Sequence, residues 1–158
     1  MLVQDLINQI NIDSNDLPDS DAETIQYINY AIDSLSFLLC GLKDPEMMAT
    51  CDIAPGLFVP SNFVEFVPQN GYPVYIVGDR FNTTTGNVVK MVKYSISKPH
   101  ISAVTDTIPF KDIYSGALCF LVSKMIKGKS NFPKVITQNA DENLQTVLDL
   151  IKAAKAVS

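Results

Sequence analysis

Apolar residues keep two different rhythms along this chain, and the change between them constrains the fold more than any other feature. Towards both ends they step by three and four residues; in between they gather in short β-rich runs broken by Pro and Gly. Leu2, Leu6, Ile7 and Ile10 predict a short amphipathic helix over 2–10. Ile25, Ile28, Ile32, Leu35 and Leu39 put one apolar stripe on a helix over about 21–39, with Gly41 closing it. Ser20 and Glu23 stand at capping-box spacing before it, each side chain able to satisfy the other's free backbone N–H. The polar stretch 11–20, with Pro18, reads as a loop.

In the middle, 48–53, 63–68, 74–77, 88–95 and 100–104 read as strands, being rich in Val, Ile, Phe and Tyr. Between 77 and 88 the chain turns polar, which predicts a hairpin with an exposed tip. Arg80, Asn82, Thr83, Thr84, Thr85 and Asn87 are its candidate contact residues. The helical period returns near Pro109, a residue tolerated at an early helix position, with Ile113, Ala117, Phe120, Leu121 and Met125 as its stripe. The segment 128–133 ends that helix. A last helix carries Leu144, Val147, Leu148, Ile151 and Ala154 on one side, with Asp141 and Glu142 suited to its first turn. The tail Ala153, Ala154, Lys155, Ala156, Val157 and Ser158 has little to bury and is expected to fray.

The order helix, helix, β-region, helix, helix predicts an α+β fold. Its expected form is a four-helix bundle-like domain with a β-strand and hairpin insertion between helices 2 and 3. With 158 residues the chain suits a single domain over 1–158, helical over about 2–40 and 110–155, with the insertion at about 46–108. A formal net charge of −5 argues against wrapping nucleic acid, which needs a basic surface. The charge is uneven: seven acids and no Lys or Arg precede Lys43, whereas Lys124, Lys127, Lys129 and Lys134 cluster later. Two solvated surfaces account for this; in a ring of identical copies the same asymmetry would make neighbouring faces complementary. The longest apolar runs fall well short of the roughly 18 residues a membrane span needs. The first residues lack the basic and apolar regions of a secretory signal. The chain is therefore expected to be soluble, without membrane partners.

Reactive chemistry finds little footing. The one histidine, His100, beside Pro99, reads as a surface or hydrogen-bonded residue rather than a proton shuttle. Cys40, Cys51 and Cys119 lack the close spacing of zinc ligands and read as reduced, buried thiols. Asp13, Asn15 and Asp16 begin like a calcium loop, but Leu17 and Pro18 stand where an oxygen ligand and a Gly are needed. Gly128-Lys129-Ser130 resembles the end of a phosphate-binding loop, yet Ser123 occupies the position of its first Gly and the segment follows a helix. Tyr72, Tyr75 and Tyr94 stand among Arg80, Lys90 and Lys93, a mixture that can stack single-stranded nucleic acid but more often packs a sheet. These readings predict no enzyme, no metal and no cofactor.

One longer pattern remains. Leu57-Phe-Val-Pro60-Ser-Asn62-Phe63 is followed by Asn70-Gly71-Tyr-Pro-Val-Tyr-Ile-Val-Gly78, Val92-Lys-Tyr94-Ser-Ile-Ser-Lys98-Pro99 and Asp106-Thr-Ile-Pro109-Phe110. With the helix from Tyr114 to Lys127, and Tyr27-Ile-Asn29-Tyr-Ala31-Ile-Asp33-Ser-Leu35 before it, this resembles the head–tail connector (adaptor) proteins of tailed bacteriophages over about residues 20–130. The resemblance implies a helical bundle with a β-insertion, assembled as a ring, commonly of twelve copies, beneath the portal protein. It also implies tail or neck proteins on the other face, passing genomic DNA without sequence-specific contacts, and a C-terminal segment, here residues 153–158, docked on the portal. The implied location is the virion neck, after synthesis in the host cytoplasm. A non-catalytic module that grips a ligand or host protein through the β-region is the alternative.

Overall fold

Both expected helices form at the start of the chain, and their ends show what fixes them. The computed structural model describes residues 1–10, 18, 20–127 and 140–157. The calcium-like and phosphate-loop-like segments, at 13–16 and 128–130, lie outside the described residues. Helix α1 spans Val3–Gln9 and α2 spans Asp21–Gly41. Ser20 caps α2: its hydroxyl accepts the Glu23 backbone N–H at 3.2 Å and its carbonyl accepts that of Thr24 at 3.1 Å. Gly41, expected to close the helix, is its last residue instead. The left-handed position falls to Lys43 at φ 52°, and the N–H groups of Lys43 and Asp44 reach back to the carbonyls of Cys40 and Leu39, both at 2.9 Å.

The chain divides into two units: Met1–Leu35 with His100–Ser158, and Ser36–Pro99. The first unit is helical. After a 3-10 turn at Asp112–Tyr114 come α3 (Ser115–Lys127) and α4 (Ala140–Val157). Close backbone approaches join α3 to α4 and α3 to α1. Its core takes Val3 and Leu6 from α1, Ile28, Ala31, Ile32 and Leu35 from α2, and Val147 and Ile151 from α4, all buried. On α3 the buried face is Ala117, Leu118, Val122, Met125 and Ile126, rotated from the expected stripe, so that Phe120 and Leu121 are only half-buried.

Two expectations fail in this unit. Residues 100–104 form no strand, because their backbone groups are satisfied otherwise. The Asn29 side chain donates to the Ile101 carbonyl and accepts its N–H, both at 2.9 Å, while the Val104 carbonyl takes the Gln4 N–H at 3.1 Å. Asp106 then folds the loop on itself, its carboxylate accepting the N–H groups of Ser102 and Ala103 and the Ser102 hydroxyl at 2.8–3.1 Å. Pro109 opens no helix either; the first helical turn begins only at Asp112.

The second unit is built on strands β1 (Met48–Ile53), β2 (Phe63–Phe66), β3 (Val74–Val77), β4 (Arg80–Thr83) and β5 (Val89–Ile96). β5 lies between β1 and β2 in one antiparallel sheet; β3 and β4 make a separate antiparallel hairpin. Ile53, Phe81 and Val92 are fully buried at the centre, with Phe63, Phe66, Tyr72 and Val74 packed around them. The Phe63 and Phe66 rings stand 5.5 and 5.7 Å from that of Phe81, and Phe63 also meets Tyr94 at 5.5 Å. Burying a side chain of this size contributes about 1.5–3 kcal/mol. β2 ends at Phe66, and beyond it the Val67 N–H still reaches the Lys93 carbonyl at 2.9 Å. The Tyr72 hydroxyl joins the other two groups of that pair, accepting the Lys93 N–H at 3.1 Å and donating to the Val67 carbonyl at 3.0 Å. Opposite Asp52, β5 bulges: Met91 sits at φ 55° and gives its N–H to the Asp52 carboxylate at 2.9 Å.

The four-helix bundle-like domain with one inserted hairpin is therefore overturned. The strands make two sheets around an aromatic core of their own, and close packing among helices centres on α3 and does not tie in α2 to the same degree. The cause lies in the α2 stripe. Its last part, Ser36, Leu39 and Cys40, belongs to the β-unit, where the Cys40 thiol meets the Ile96 carbonyl at 3.4 Å. Apolar surface spent there is not available to a helix bundle.

Candidate functional site

The hairpin of the β-unit leaves three successive apolar residues uncovered, Tyr75, Ile76 and Val77. Its turn is Gly78-Asp79, with Gly78 at φ 62° in the first central position, the residue choice of a type II′ turn. Val77 pairs with Arg80, Ile76 with Phe81, Tyr75 with Asn82 and Val74 with Thr83. On one face Phe81 and Thr83 are buried. The opposite face holds Tyr75 and Val77, which are 48% and 58% exposed. Segment 57–59 runs along the far side of β4: the Phe81 N–H bonds to the Leu57 carbonyl, the Val59 N–H to the Asp79 carbonyl, and Phe58 pairs with Arg80. Phe58 is itself 58% exposed.

The turn of the hairpin thus lies ahead of every residue expected at its tip, Arg80 to Asn87. Arg80, Asn82 and Thr83 belong to β4, not to the tip. Arg80 is engaged, its guanidinium stacked 3.8 Å from the Phe58 ring centroid and bonded to the Gly56 carbonyl at 2.8 Å. The Thr83 hydroxyl is spent on the Asn87 carbonyl at 2.8 Å. Thr84, Thr85 and Asn87 are exposed in the turn that leaves β4, at the opposite end of the hairpin from Gly78. The apolar residues Phe58, Tyr75, Ile76 and Val77 were missed. Their signal was four successive apolar residues at 74–77 with no polar alternation, directly before a Gly-Asp turn.

The C-terminal candidates sit on α4, which continues through Val157, so the expected fraying is not seen. Ala154 is half-buried, whereas Ala153, Lys155, Ala156 and Val157 are exposed, and Lys155 lies 6.0 Å above the Tyr114 ring. Ser158 is outside the described residues.

Titratable and nucleophilic groups are dispersed. His100 Nε2 meets an Asp33 carboxylate oxygen at 2.8 Å, both side chains more than half exposed. Burial pushes the thiols of Cys40, Cys51 and Cys119 above their ordinary value, which keeps them protonated and poorly nucleophilic at neutral pH. Cys40 is buried; Cys51 and Cys119 are half-buried. Among the described residues no three His, Cys, Asp or Glu side chains converge as metal ligands. An open hollow is lined by Met1, Asp5, Asn8, Gln9, Asp112 and Ser115. No helix among the described residues is long and apolar enough to cross a membrane.

Set against models of known protein families and against curated proteins, the sequence matches none of them.

Proposed function

We propose that this chain is a structural subunit of a tailed-phage particle, a head–tail adaptor that forms a ring between the portal protein and tail components and lines the path of the DNA. The sequence likeness over about residues 20–130 supports the reading. The observation that carries it is the set of uncovered apolar residues Tyr75, Ile76 and Val77 on the hairpin, with Phe58 on the segment beside it. A surface of that kind is suited to being covered by protein. In a ring such contacts repeat around one axis, each copy offering one surface to the neighbour before it and another to the neighbour after it. The exposed end of α4, Ala153 to Val157, is the candidate portal-docking segment.

Mixing the protein with the portal protein encoded by the same genome, and imaging by electron microscopy, tests this. Closed rings seated on the portal are expected. Shortening the chain after Lys152 removes the exposed end while keeping the buried Ile151, and should leave a folded protein that no longer seats. A chain that never rings on any portal, from a genome lacking portal and tail genes, would leave a free-standing binding module as the better account.

A further inference from the structure

The two edges of the hairpin are unlike. On the β4 side the backbone is closed by segment 57–59. On the β3 side nothing among the described residues pairs with it, since β3 has β4 as its single strand neighbour. The two-residue turn fixes which groups point outwards. Val77–Arg80 and Tyr75–Asn82 are the hydrogen-bonded pairs, a phase continued by the Thr84 N–H to Pro73 carbonyl bond at 3.0 Å. The N–H and C=O groups of Val74 and Ile76 therefore face away from β4. The strand has no charge, Pro or bulge to blunt this edge, and Tyr75, Ile76 and Val77 are all at least 41% exposed.

We propose that the outer edge of β3 docks a second copy of this chain, the two β3 strands pairing antiparallel about Tyr75. The pattern of groups is self-complementary and so fits a second copy. Two donors and two acceptors at positions 74 and 76 are matched by the same strand run in reverse: Val74 pairs with Ile76 of the copy, Ile76 with Val74 of the copy, and Tyr75 faces its counterpart at the two-fold axis. All four free groups are satisfied at once, and the strands bring no like charges together. The hairpins then form one four-stranded sheet, β4-β3-β3-β4. This contact is isologous and closes at two copies, unlike the repeating contacts of a ring. It does not rest on the adaptor reading and competes with it for Tyr75, Ile76 and Val77, so a subunit paired in this way must separate before it enters a ring. A dimer can form where no ring seats on a portal, and a ring where no dimer forms.

The full-length protein tests it by sedimentation velocity over a concentration series, where a monomer–dimer equilibrium is expected. Ile76→Pro removes an outward N–H that the hairpin itself does not use, so it should abolish the dimer while leaving the circular dichroism spectrum unchanged. Cross-linking fixes the register, with the wild-type chain and its native thiols as control. Facing residues at the axis lie about 4.5 Å apart at Cα, within disulfide reach, so Tyr75→Cys should give a linked dimer under mild oxidation. Val77→Cys stands four residues out of register with its counterpart, roughly 13 Å, and should not link. A wild-type chain that stays monomeric, a folded Ile76→Pro variant that still dimerises, or a link at 77 in place of 75 would each overturn the pairing. If Ile76→Pro does not fold, the two cysteine variants decide the matter.

Discussion

The two units of this chain are held by different means. The β-unit, residues 36–99, gathers aromatic rings from three other stretches, at 63–66, 72 and 94, into one cluster with Phe81, so its stability is concentrated in a few large side chains far apart in sequence. The helical unit spreads aliphatic contacts over α1, α2, α3 and α4 and adds polar clasps, Asn29 on Ile101 and Asp106 on its own loop. The contrast teaches that one chain can fix strands by packing and fix a loop by hydrogen bonds. Each region should then fail in its own way.

The largest effect should come from Phe81→Ala, expected to cost about 3–5 kcal/mol in chemical denaturation because it empties the centre of the aromatic cluster. A loss below 1 kcal/mol would mean that the β-unit does not depend on that centre. Asn29→Ala should cost about 1–3 kcal/mol, leaving the N–H and carbonyl of the buried Ile101 without their partner. Asn29→Asp keeps the acceptor alone and should fall between; equal losses for both variants would show that the clasp does not act through its two bonds. Lys43→Gly works in the opposite direction. It relieves a side chain held at φ 52° and should stabilise the fold by about 1 kcal/mol, read as a rise in melting temperature.

The smallest effect is a change of shape in the acid limb. Backbone N–H bonds from Ser102 and Ala103 hold the Asp106 carboxyl below its ordinary value. A carboxyl depressed in the folded state contributes stability above its unfolded value, about 3.9, and loses it as pH falls through the folded one. Asp106→Asn should therefore flatten stability below about pH 4 and leave the slope near neutrality unchanged. An unaltered acid limb would show that the loop does not depend on the charge.

Much of the helical unit was legible in advance. The α2 stripe and the Ser20 cap are local signals, and both stand in the structure, whereas the face of α3 was read one position off because Phe120 and Leu121 are as apolar as the residues that are buried. The β-unit was legible only as runs of strand-forming residues. That β5 would lie between β1 and β2 depends on contacts some thirty residues distant or more, which no local pattern carries. Arg80–Thr83 was mistaken for a tip because its polar residues mask Phe81, the buried member of the strand. Residues 100–104 have strand composition, but a side chain 72 positions earlier claims Ile101. For the candidate surface, the sequence pointed to the right hairpin and the wrong residues on it.

The phenol of Tyr72 has one more consequence. Its hydroxyl is inserted between the Val67 carbonyl and the Lys93 N–H and serves both. The Val67 N–H still reaches the Lys93 carbonyl directly at 2.9 Å, so the hydroxyl stands in for one rung of that pair and opens the ladder on one side by the width of an oxygen atom. The Lys93 amide, though its acceptor is a side chain, should exchange with solvent deuterium as slowly as its neighbours within β5, and removing one oxygen atom, in Tyr72→Phe, should open that amide selectively.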